Sequence, residues 1–122
     1  MIAPLIDFDF LYDLAGNDTS YIYEVINLYL DSVPTGMEKL EQLIRKTDDY
    51  GSIQKQAHFL QSSASIVKVR NMYDGLIEIE RLAGLQTNKD EMIIKLEQIL
   101  ADFKEALPLI IKEKEKCIPT KK

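Results

Sequence analysis

The sequence has one cysteine and one histidine in 122 residues, no surplus of positive charge and no long apolar run. Each shortage excludes something. With Cys117 alone no internal disulfide can form, and a reducing compartment is the natural setting. A net charge of −5 would repel nucleic-acid phosphates rather than neutralise them. No apolar stretch approaches the roughly 20 residues that a membrane helix needs. Met1-Ile2-Ala3-Pro4 carries no basic segment and meets Asp7 and Asp9 at once, so it does not read as a signal peptide. Cys117-Ile118-Pro119-Thr120 resembles a prenylation box, but Lys121 and Lys122 follow it and the box must be terminal. Asn17-Asp18-Thr19 fits a glycosylation sequon and reads better as a helix start. A lone histidine leaves no metal pair, and there is no glycine-rich phosphate loop. The expectation is a cytoplasmic monomer with no metal, no cofactor, no nucleic-acid partner and no membrane span.

What is present is helical periodicity. Hydrophobic residues make up 46% of the chain, enough for one small core, and they recur at helical spacing nearly everywhere. A short first helix is expected from Ile6 to Ala15, stopped by Gly16. A second follows a cap at Asp18 or Thr19, with an inward stripe of Ile22, Val25, Ile26, Tyr29, Leu30, Val33, Met37, Leu40, Leu43 and Ile44. Pro34 keeps the phase of that stripe, which predicts a kink or two abutting helices. Turn chemistry at Asp48 to Ser52 opens a third helix reaching about Val67, and a fourth covers Arg70 to Leu85. The last begins near Lys89, and residues 112–122 read as a solvated C-terminal end. Short links between long amphipathic helices predict an all-α fold: an antiparallel up-down four-helix bundle with a short additional N-terminal helix, forming one domain over 1–122. Gly75, inside the fourth helix, predicts close packing, with the third helix as the expected neighbour.

His58 is the one residue with chemical potential. Ile53, Ala57, Leu60, Ala64 and Val67 fall on a narrow stripe that must face the core. His58 lies roughly 140° from the centre of that stripe, beside Gln54, Gln61, Ser62 and Ser65. It is therefore an exposed histidine on a polar strip of small residues, with Phe59 and Ile66 on one flank. On geometry alone, surface decoration remains the leading explanation. The same geometry also suits a phosphocarrier, whose imidazole must be nucleophilic and reachable by another protein's active site. Phosphoryl transfer is mostly positioning and charge stabilisation, and a partner can supply the metal and the lysine.

The segment from Gln56 to Val67, QAHFLQSSASIV, resembles the phosphohistidine helix of the histidine-phosphotransfer (HPt) domain family. The run Met72 to Glu80 is similar to the helix that follows in that family. The resemblance implies that His58 is phosphorylated, that receiver domains of response regulators are donor and acceptor, and that a hybrid sensor histidine kinase stands upstream. It places Gln61, Ser62 and Lys55 around the phosphate and Phe59, Gln54 and Ser65 on the docking rim. Phe8, Phe10 and Leu11 join that rim if the first helix packs nearby. Gln61 stands where the family usually has lysine, so a neutral donor replaces a cation beside a phosphate of about −1.5 to −2 charges. Ser62 and Lys68 stand where it usually has glycine. Two other readings stay open: a module that docks on receivers without transferring phosphate, and a phosphatase in which Gln61 orients water. Glu78 and Glu80 point to different helix faces and read as solvated charges.

Overall fold

The structure, a computed structural model, describes residues 4–118. Its elements are β1 (Ile6–Asp7), α1 (Asp9–Ala15), α2 (Thr19–Lys46), α3 (Tyr50–Ile66), β2 (Lys68–Val69), α4 (Met72–Gly84) and α5 (Lys89–Lys116). Aspartates start the first two long helices. Asp18 accepts from the Ser20 and Tyr21 N–H groups at 3.0 and 3.3 Å, and Asp49 from the Ser52 N–H at 3.1 Å. Each satisfies backbone donors that a helix start leaves bare. Gly16 ends α1 in the left-handed conformation, φ 59°.

The four long helices close a ring: α2 packs on α3 and α5, and α4 packs on α3 and α5. The links at 47–49, 67–71 and 85–88 are short, so successive helices run antiparallel. This is the expected all-α bundle with a short N-terminal helix. The predicted stripes are the core: Ile22, Ile26, Val33, Met37, Leu40 and Ile44 of α2 are buried with Ile53, Ala57, Leu60 and Ala64 of α3. Pro34 lies inside one helix, not between two, with Val33, Gly36 and Met37 still buried around it. The buried polar residue Gln56 donates to the Gly36 carbonyl at 3.0 Å, which satisfies its amide where α2 and α3 come closest.

Four expectations need correction. Residues 6 and 7 are not helical: β1 pairs antiparallel with β2, Ile6 opposite Val69 and Asp7 opposite Lys68. The Asp7 carboxylate accepts from the Asp9 N–H at 2.8 Å, so α1 begins two residues beyond it. Leu11 is buried in the core and takes no part in a docking rim. Gly75 packs against α5 rather than α3, since a methyl there would lie 2.7 Å from Ile99 Cδ1. Of the stretch expected to be a solvated end, Lys112, Glu115, Lys116 and Ile118 are exposed but the rest of the described part is packed at least in part. Helix α5 continues to Lys116, Cys117 is buried, and the Tyr12 hydroxyl donates to Glu113. That hydrogen bond, with burial, pushes the Tyr12 phenol well above its ordinary range. Met1–Ala3 and residues 119–122, with the start of the signal-peptide reading and the end of the prenylation box, lie outside the described residues. No helix among the described residues is long and apolar enough to cross a membrane.

One ion pair fixes the start of α4. Arg70 donates to Asp102 of α5 at 3.2 Å and Asn71 donates to it at 2.8 Å, with Asn71 held at φ 68°. The Arg70 hydrogen bond holds the Asp102 carboxyl below the usual carboxylate range; partial burial opposes this and Asn71 reinforces it. A lowered carboxyl stabilises the fold above its unfolded value of about 3.9 and loses that contribution as pH falls through the folded value. Asp102→Asn should therefore cost about 1 kcal/mol at neutral pH. The gap from the parent in urea denaturation should close as the solution is made more acidic than about pH 4.

Candidate functional site

Because the core stripe of α3 is buried, the opposite face is turned outward, and His58 is there with its side chain 71% exposed. It lines a hollow of about 370 Å³ with Phe59, Gln61, Ser62 and Ser65 of α3 and Tyr73 of α4. Phe59 is 65% exposed and forms one wall. Of the residues expected near His58, Gln61, Ser62, Phe59 and Ser65 share this hollow with it. Lys55 lines a separate hollow with Lys39, Leu43, Ser52, Gln56 and Phe59. Gln54 lies against Gly84 at the far end of α4, where a methyl on the glycine would meet its amide at 2.9 Å. Neither lines the hollow beside the imidazole.

The feature that sequence reasoning missed is Glu80. Its carboxylate reaches from α4 to α3, with one oxygen 3.0 Å from His58 Nδ1. The other accepts from the Gln61 amide at 2.6 Å. Glu80 is partly buried, 28% exposed at the side chain. Glu78 behaves as expected, pairing with Arg81 one turn along its own helix. The Arg81 hydrogen bond lowers the Glu78 carboxyl. A pairing between helices depends on the register of α3 against α4, which the spacing within one helix does not report.

This bond decides the imidazole's chemistry. An ionised carboxylate only accepts, so Nδ1 carries the proton, and in the neutral form of the ring Nε2 keeps its lone pair. Nε2 is then the nucleophilic nitrogen, and the partner of the other nitrogen fixes the ring's orientation. The hollow's lining includes hydroxyls on Ser62, Ser65 and Tyr73 but no cationic side chain. Lys68, at the end of the same strip, lies 5.3 Å over the Phe10 ring in the adjoining hollow, which shares Ser65 and Tyr73. Phe10 is thereby next to the His58 hollow, as expected if α1 packs nearby. Among the described residues no three His, Cys, Asp or Glu side chains are grouped to hold a metal ion.

Nitrogen NMR tests the geometry directly. At a pH where the ring is neutral, His58 should be mainly the Nδ1–H form, and Glu80→Ala should shift it toward Nε2–H. Equal tautomer populations in the two proteins would show that the Glu80 contact does not form in solution.

Residues 24–111 match the family described as the Hpt domain. Neither curated proteins nor solved structures give a match. The matched stretch runs from the first turns of α2 deep into α5 and takes in His58, Gln61 and Glu80 with the helices that hold them. An exposed histidine with one ring nitrogen held and the other open, on a four-helix bundle that this family describes over most of its length, leads to one conclusion: the chain belongs to the Hpt domain family, whose role is histidine phosphotransfer.

Proposed function

We propose that this chain is a phosphorelay carrier in which His58 Nε2 takes a phosphoryl group from a receiver-domain aspartyl phosphate and passes it to a second receiver. The observation that carries the proposal is the His58–Glu80 contact, which leaves the exposed Nε2 with its lone pair. In this reading Ser62, small and exposed, permits close approach of the receiver's active site. Phe59 and Ser65 form the docking rim, extended by Phe10 and Tyr73. Gln54 and Lys55, outside the hollow, contribute at its margin. The protein has no kinase activity of its own; a hybrid sensor histidine kinase supplies the phosphate through its receiver. In this reading it works as a cytoplasmic monomer. In the phosphatase reading Gln61 would orient water through its oxygen or its second N–H, since one amide N–H already donates to Glu80.

The test is phosphate transfer from a panel of phosphorylated receiver domains, with His58→Ala in parallel. The parent should acquire an acid-labile, base-stable label that the variant lacks entirely. Receiver binding without a label would replace the carrier with a docking module, and phosphate release that survives His58→Ala would favour the phosphatase.

A further inference from the structure

The Gln61–Glu80–His58 chain has a consequence for the phosphorylated state. When Nε2 attacks the aspartyl phosphate, the N–P bond forms and the P–O bond to the receiver breaks. The receiver regains its carboxylate, and the imidazole takes the positive charge with its proton still on Nδ1. In water such a ring can lose that proton to become a neutral phosphoimidazole, whose phosphoryl group leaves only reluctantly because imidazolate would be the leaving group. Here the Nδ1 proton already faces a partly buried carboxylate at 3.0 Å. An anion this close favours the cationic form of a neighbouring base by roughly tenfold or more.

Gln61 determines how strongly that anion acts. Its amide donates to the second Glu80 oxygen at 2.6 Å, fixing the carboxylate without neutralising it. The other charged or titratable groups near the ring leave this balance alone. From α4, Tyr73 lines the hollow and Arg81 is paired with Glu78. Lys55 of α3 lines the neighbouring hollow, and Lys68 of β2 lies over Phe10 of α1.

We infer that Gln61 and Glu80 are positioning residues that keep the phosphorylated imidazole protonated, making His58 a short-lived donor rather than a phosphate store. The proton never leaves the site. On onward transfer the N–P bond breaks, the electron pair returns to Nε2, and neutral imidazole with Nδ1–H is restored. Transfer in and transfer out are each complete without a proton from solvent. The inference rests on the carrier reading of His58.

The experiment labels the whole protein with phosphoramidate, a small donor that needs no receiver, and follows loss of the acid-labile phosphate across the near-neutral pH range. Parent, Glu80→Gln and Gln61→Lys are compared. The glutamine keeps an acceptor for Nδ1–H but removes the charge, and the lysine neutralises Glu80 in place. Both variants should hold their label about tenfold longer than the parent above neutral pH. Their decay profiles should shift to more acidic pH by about one unit, a change that loosened packing alone would not produce. Nitrogen NMR of the labelled parent should show Nδ1 still protonated where both variants have lost that proton. Equal lifetimes and coincident profiles would overturn the inference and leave the carrier reading intact. If the parent alone, or no protein, accepts label, the Nδ1 signal of the parent decides the first case and the carrier reading itself fails in the second. A deprotonated Nδ1 in the labelled parent would overturn the inference.

Discussion

Glu80 has to cross from one helix to the next to reach His58, and it can do so only if α3 and α4 are held in one register. Much of the molecule bears on that constraint. The buried stripe of α3 presses against Met72, Leu76, Ile79 and Ala83 of α4 in one continuous core. Behind them, Gly75 lets α5 approach closely enough for Ile99 to touch the α4 backbone side. At the start of α4, Asp102 gathers Arg70 and Asn71, and the β1–β2 pair straps the turn between the helices. A slip of one turn, about 5.4 Å, would carry Glu80 away from both His58 and Gln61.

The electrostatics of the site are correspondingly local. A carboxylate that is partly shielded from water needs hydrogen-bond partners, and Glu80 has one for each oxygen. Both donors are uncharged while the His58 ring is in its neutral form. A cation in place of Gln61 would neutralise that anion, whereas bonds from neutral donors are already charge-assisted because the acceptor is ionised. The neutral arrangement instead leaves the anion able to respond to whatever charge the imidazole acquires. The proposed control of His58 thus comes from a residue on another helix, while the hollow beside the ring is lined by Phe59, Ser62, Ser65 and Tyr73.

How much of this was legible in the sequence follows from the range of each interaction. The core stripes, the caps at Asp18 and Asp49 and the outward direction of His58 depend on spacing within one helix, and all were readable. The grouping of Gln61, Ser62 and Ser65 with His58 was readable for the same reason. Glu80 was not, because its partners are 19 and 22 residues away on a helix whose register only packing defines. The choice of Ile99 as the neighbour of Gly75 is likewise a matter of ring order in the bundle. The β1–β2 pair is too short to show any alternation, and the burial of Cys117 depends on α1 folding back over α5.

That last contact also bears on how the molecule assembles. The Tyr12 hydroxyl meets Glu113 across 101 residues of chain, while all the ring pairs except α2 with α5 join successive helices through short links. Loop closure of that length has a larger entropic cost than any helix hairpin here. During synthesis α1 is therefore made well before the end of α5 that receives the Tyr12 hydroxyl. Until then Leu11, buried in the finished fold, has no complete core to enter. The side-chain contact between α1 and α5 can form only once both ends of the bundle have been made.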